Sequence, residues 1–145
     1  MTVKTRTSFD LEAFRRGYED WDIDALLALY ADEVELIQID RDNPPSAPRV
    51  RHGKEMFKGM FEHCAAGGVR ATVENAVAGT HRAAATVTCE FPGGRKVVAN
   101  GIFELEDGRI VRERQVMAGD PKKRADRSPA TGRGRRVCPH PPNRR

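Results

Sequence analysis

The chain has 145 residues, 39% hydrophobic, 32% charged and 6% aromatic, with a formal net charge of +4. That fits one domain around one core and excludes collagenous, disulfide-dense and wholly disordered classes. No run approaches the roughly 18 apolar residues of a membrane-spanning helix, and the start, MTVKTRTSF, carries no apolar secretory segment, so a cytoplasmic protein is expected.

Ser8 to Tyr30 reads as two short helices. Ser8 is placed to cap the first, with Asp10 and Glu12 near its positive end. Leu11, Phe14 and Tyr18 form one apolar stripe. Asp22 is placed to cap the second, in which Ile23, Leu26, Leu27 and Tyr30 line a face. The EDWD corner between them holds the single tryptophan, Trp21. Val34 to Asp40 is rich in β-branched residues and reads as a strand. DRDNPPSAP then breaks regular structure, because Pro44, Pro45 and Pro48 lack the amide a ladder needs. A third helix is expected from Gly53 to about Cys64, with Met56, Phe57, Met60 and Phe61 on its apolar face and Gly67-Gly68 ending it.

From Val69 the period changes to two. Four strands follow, joined by short turns at Gly79-Thr80, Pro92-Gly93-Gly94 and Asp107-Gly108, the last a strong hairpin signal. Consecutive strands on short turns imply an antiparallel meander. The order α-α-β-α-β-β-β-β predicts an α+β fold, a curved antiparallel sheet with helices packed on its concave face.

The pattern stops after Met117. Residues 120–145 hold nine Lys/Arg against two Asp/Glu, a net +7 that leaves −3 for residues 1–119. The basic pI of about 9.2 therefore belongs to one end of the chain, a tail signature. With five prolines and one valine as its only aliphatic residue larger than alanine, that end lacks the apolar burial to offset its ordering entropy. It carries no interleaved aromatics for base stacking, so nucleic acid is not the expected partner.

Cys64, Cys89 and Cys138 have no C-x-x-C spacing, Cys138-Pro-His140 offers two ligands at most, and the four histidines are dispersed. No metal site is expected, and Cys64 and Cys89 read as reduced thiols on apolar faces. With no phosphate loop or nucleophile elbow either, no cofactor is expected.

FRRGYEDWDIDALLALYADEVEL, DNPPSAPRVRHGKE and VVANGIFELEDGRIVRERQV, in this order and spacing, resemble the nuclear transport factor 2-like superfamily, and most of all its bacterial SnoaL-like members. The similarity covers roughly residues 8–118, leaving 119–145 as the basic tail. It implies a cone-shaped sheet with a pocket between sheet and helices, and often a homodimer through the sheet. It does not imply one activity, since the superfamily spans isomerases, polyketide cyclases, epoxide hydrolases, dehydratases and transport factors, so function rests on the site.

A ketosteroid-isomerase site needs a carboxylate base with a tyrosine and a protonated aspartate as oxyanion donors. If the DIDAL stretch sets the register, Phe14, Gln38 and Gly101 fall near those positions, and that chemistry is not expected. A cyclase-type acid/base is expected near the end of the last strand, where Asp120 is nearest. Asp40, two residues past Gln38 on the same strand face, is the other candidate catalytic carboxylate, although an aspartate before a Pro-rich turn commonly caps its own backbone. Arg112 is a candidate partner in an Asp–Arg–Asp arrangement of the epoxide-hydrolase kind. Phe14, Tyr18, Trp21, Met56, Phe57, Met60 and Phe103 are expected as core with a share in lining the pocket, Tyr18 and Trp21 foremost because each has a polar tip. The expected partner is a small, largely apolar organic ligand, handled without a cofactor. The alternatives are a non-catalytic interaction module and weak nucleic-acid binding through the tail.

Overall fold

A computed structural model describes residues 8–122. α1 (Leu11–Glu19) is capped by Asp10 rather than Ser8, the Asp10 carboxylate accepting the Ala13 amide at 2.9 Å. α2 (Ile23–Leu27) is capped by Asp22, which accepts the Ala25 amide at 3.2 Å. The chain reverses between them through Trp21, whose φ is 50°. Gly17 lies where the helices meet: a Cβ there would stand 2.6 Å from Leu26 Cγ, so the close approach requires glycine.

α2 is shorter than its apolar stripe. Leu29 leaves the helix because its carbonyl accepts the Ile110 amide at 2.8 Å, and Tyr30 opens β1 (Tyr30–Ile39). The prolines confine the following break to a turn, after which Arg-Val-Arg-His forms a strand absent from the sequence reading, β2 (Arg49–His52), antiparallel to β1. Gly53, at φ 98°, turns the chain into α3 (Lys54–Ala66), which stops at Gly67. The meander follows as expected: β3 (Arg70–Ala78), β4 (Arg82–Glu90), β5 (Lys96–Glu106) and β6 (Arg109–Gly119). Asp107 and Gly108 take φ 51° and 78° in the last hairpin, the paired positive values of a type I′ turn.

The six strands make one curled, unclosed sheet in the order β2-β1-β6-β5-β4-β3. Its pairs are antiparallel except β1–β6, which is parallel. The architecture is the α+β cone, with α1 packed on β3 and α3 on β1. The expected basic tail from Lys123 onward, with Cys138 and His140, lies outside the described residues.

Aromatic rings dominate the core. Phe14, Tyr30, Phe57 and Phe103 are fully buried, with Leu26, Leu36 and Ile110 around them. Tyr30 stacks on Phe57 with centroids 4.2 Å apart, while Phe14–Tyr18 and Tyr18–Phe61 meet edge to face at 5.1 and 5.5 Å. Such geometry adds about 0.5–1.5 kcal/mol per pair beyond area burial. The helices are also tied to the edge strand by polar bonds. Trp21 Nε1 donates to the Val69 carbonyl at 2.7 Å, and Glu19 accepts the Val73 amide at 3.1 Å, covering an edge amide that would otherwise template foreign strands.

Candidate active site

A β-bulge aims the chemistry. On β6, Ile110 pairs with Leu105 and Arg112 with Glu104, so Val111 is an extra residue on its strand. Regular alternation from the buried Ile110 would send Arg112 and Arg114 inward. The inserted residue sends Glu113 and Gln115 inward instead, to 2% and 7% exposure.

Glu113 is the chemically distinctive group of the interior. Tyr30 donates its hydroxyl to Glu113 Oε1 at 2.9 Å, and Gln115 Nε2 donates to Oε2 at 2.7 Å. Burial pushes this carboxyl up from 4.5 to about 7, and the Gln115 and Tyr30 hydrogen bonds oppose that rise. The tyrosines beside it stay protonated: both Tyr30 and Tyr18 are raised well above 10.0, first by burial and then by the Glu113 charge. Gly101, on β5 opposite Gln115, leaves the carboxyl room, since a Cβ there would stand 3.6 Å from Glu113 Oε2 and 3.0 Å from the Phe103 ring.

A polar row continues outward. Gln38 Nε2 donates to Gln115 Oε1 at 3.2 Å and lies 3.5 Å from Met117 Sδ. Gln38 Oε1 accepts from Arg51 Nη2 at 3.2 Å, and the same nitrogen lies 3.2 Å from Met60 Sδ. Arg51 faces Leu36 across the β1–β2 pair, which puts it on the concave side with Leu36 and Gln38.

Met117 also lines an open recess of about 820 Å³ where β6 ends, with Asp40, Phe91, Arg95, Val97 and Asp120 among its walls. The two aspartates singled out in the sequence therefore share one cavity. Each has its carboxylate turned to the backbone. Asp40 Oδ1 accepts the Asp42 and Asn43 amides and Asn43 Nδ2, all at 2.9 Å. The Asn43 side-chain bond holds the Asp40 carboxyl below its usual value. Asp120 Oδ2 accepts the Lys96 amide at 3.0 Å, extending the β5–β6 pairing by one residue.

The remaining expected site residues divide by position. Phe14, Tyr18, Phe57 and Phe103 are core, with Trp21, Met56 and Met60 packed against it; of these, Tyr18 and Met60 reach the polar row. Arg112, expected at the pocket, is on the outer face, where it donates to Glu35 at 2.7 Å and to Glu104 at 3.3 Å. The bulge is the reason. Glu113, Gln115, Tyr30 and Arg51 were not singled out as site residues. The usable signal was the odd acid in VRERQV, masked by its two arginine neighbours. Among the described residues no three His, Cys, Asp or Glu side chains gather as metal ligands do, and no helix is long and apolar enough to cross a membrane.

A curled sheet with helices on its concave side and polar groups gathered within it defines the nuclear transport factor 2-like class. The chain belongs to the SnoaL-like domain family, whose model matches residues 11–113. Among solved structures it is similar to a provisionally assigned ketosteroid isomerase from Kribbella flavida, at 15% identity and TM-score 0.61, over 92% of this chain and 87% of that one. A nuclear transport factor 2-like protein of unknown function from Mesorhizobium loti matches at 21% identity and TM-score 0.62, over 75% and 88% of the two chains. A provisionally assigned polyketide cyclase from Pseudomonas putida matches at 23% and 0.55, over 72% and 86%. At these identities the likeness is one of fold. No curated protein matches the sequence.

Proposed function

We propose that this protein binds a small, largely apolar organic molecule at the open end of the cone and carries out cofactor-free acid–base chemistry with Glu113 as the proton-transferring group. One observation carries the reading: a buried carboxyl raised to about 7 and joined through Gln115 and Gln38 to the recess-lining Met117. A group that titrates near neutral pH is present in both proton-accepting and proton-donating forms, the condition for efficient general acid–base catalysis. Tyr30 and Gln115 fix the carboxyl by one bond to each oxygen. The Gln38 and Gln115 amides are neutral donors suited to a carbonyl oxygen that gains charge as a neighbouring C–H proton leaves. Asp40 and Asp120 belong to the wall of the recess in this reading, and the buried rings of Phe14, Phe57 and Phe103 supply the low-dielectric surround that keeps Glu113 poised.

The test follows C–H exchange in D2O by proton NMR for a panel of aryl ketones and β-keto esters. The wild-type protein is expected to accelerate exchange, and Glu113→Gln to abolish the acceleration while binding persists. No acceleration with any member of the panel, or acceleration that survives Glu113→Gln, refutes the assignment.

A second reading, a homodimer across the outer sheet face, rests on Ile102 and Val116, 55% and 51% exposed on neighbouring strands. Sedimentation of the wild type against Ile102→Lys tests it: a single monomeric species in both excludes the dimer.

A further inference from the structure

Arg51 is a cation without an anion. Its Nη2 contacts are an amide oxygen and a thioether sulfur, both neutral. Its Nε is shut off from solvent with no acceptor in reach, an arrangement that leaves a strong donor unsatisfied. No carboxylate among the described residues forms an ion pair with it, whereas Arg15, Arg16, Lys54 and Arg112 all have one. The nearest cation makes matters worse. Arg49 stands opposite Gln38 as Arg51 stands opposite Leu36, so two guanidinium groups share the concave face of one edge strand. Burial and that neighbour both lower the Arg51 pKa. Arg49 has the rim carboxylate Asp40 near enough to be felt, but Arg51, one step deeper, has no such relief. Nor does Glu113 supply it, because Gln115 and Gln38 stand between them in the hydrogen-bonded row.

A guanidinium on the concave face of the edge strand, beside a methionine and short of an acceptor, is matched by a planar anionic oxygen pair on an apolar body. We infer that the natural ligand carries a carboxylate, or an equally anionic planar oxygen group, and that Arg51 binds it while Met60 and Gln38 flank it. The substrate class thereby narrows from apolar organic molecules to apolar organic acids. This rests on the reading of the concave face as a ligand site, but not on Glu113 being catalytic.

The experiment is calorimetric titration of the full chain with matched pairs, benzoate and benzamide, then 2-naphthoate and 2-naphthamide. In the wild type at least one carboxylate should bind about tenfold or more tighter than its amide, the scale of one charge-assisted contact. Arg51→Met should erase that preference, and Arg51→Lys should restore part of it. Glu113→Gln should keep it, which separates anion binding from proton transfer. Equal wild-type affinities for acid and amide, or a preference that survives Arg51→Met, overturns the inference and leaves the Glu113 assignment standing. Binding of neither member of any pair overturns the ligand site itself. The wild-type comparison decides the matter alone if Arg51→Met fails to fold.

Discussion

Glu113 couples the chemistry of the site to the stability of the molecule. Its carboxyl is near 7 in the folded protein against 4.5 in an ordinary environment, so between those values the folded state keeps a proton that the unfolded chain has released. The stability this confers is complete below about pH 4.5 and is lost as pH rises through 7, a fall on the order of 3 kcal/mol. Denaturant melts of wild type and Glu113→Gln from pH 4 to 8 should therefore converge or cross, since the variant lacks this component of the slope. Parallel curves would show that the carboxyl titrates in the folded protein as it does in the unfolded chain. Tyr30→Phe gives a second check. It keeps the ring stacked on Phe57 but removes the hydroxyl whose bond lowers the Glu113 pKa, so the carbon-13 titration midpoint of Glu113 should move further above 7. A midpoint unchanged or lowered would mean that the hydroxyl does not hold the carboxylate.

At the scale of elements, the α1–α2 corner sets how closely the helices seal the cone. Gly17→Ala places a Cβ 2.6 Å from Leu26 Cγ, a fully buried side chain, and overpacking of that kind costs about 1–3 kcal/mol. The melting temperature should fall by roughly 3–4 °C per kcal/mol. A neutral effect would mean that the two helices part without penalty. Most elements were legible in the sequence, because the Leu11–Phe14–Tyr18 stripe, the alternation along β4 and β5 and the Asp107-Gly108 turn are local patterns. Tyr30 was read as the end of a helix, since its place in β1 depends on a strand from the other half of the chain. β2 was hidden because Pro48 immediately precedes it and its partners, Glu35 to Gln38, lie on the other side of all three prolines. The site was less legible still. The extra residue at Val111 leaves no mark in composition or periodicity, yet it exchanges the faces of Arg112 and Glu113 and so decides which of them meets the interior.

At the scale of the whole molecule, α3 and the β1–β2 pair form one side of the cone, and the β3–β6 meander forms the other. They meet along β1–β6. A chain ending at residue 108 keeps both sides in part but loses β6, and with it the Tyr30–Glu113 bond and the partner of β1. It should show no cooperative unfolding transition by circular dichroism, whereas a chain ending at residue 122 should melt like the full-length protein. A cooperative transition in the shorter chain would mean that the meander or the first half is stable alone.

The parallel seam between β1 and β6 also sets a timetable for synthesis. The Tyr30 hydroxyl and the Glu113 carboxylate are 83 residues apart in the chain, so the first strand emerges from the ribosome long before its central partner exists. Until residue 119 is free of the exit tunnel, β1 presents to the cell one edge of unpaired backbone amides and carbonyls. Closure of so distant a contact comes late in folding. The buried acid is thus assembled last, and a nascent chain stalled before β6 would offer chaperones its open edge rather than a finished cone.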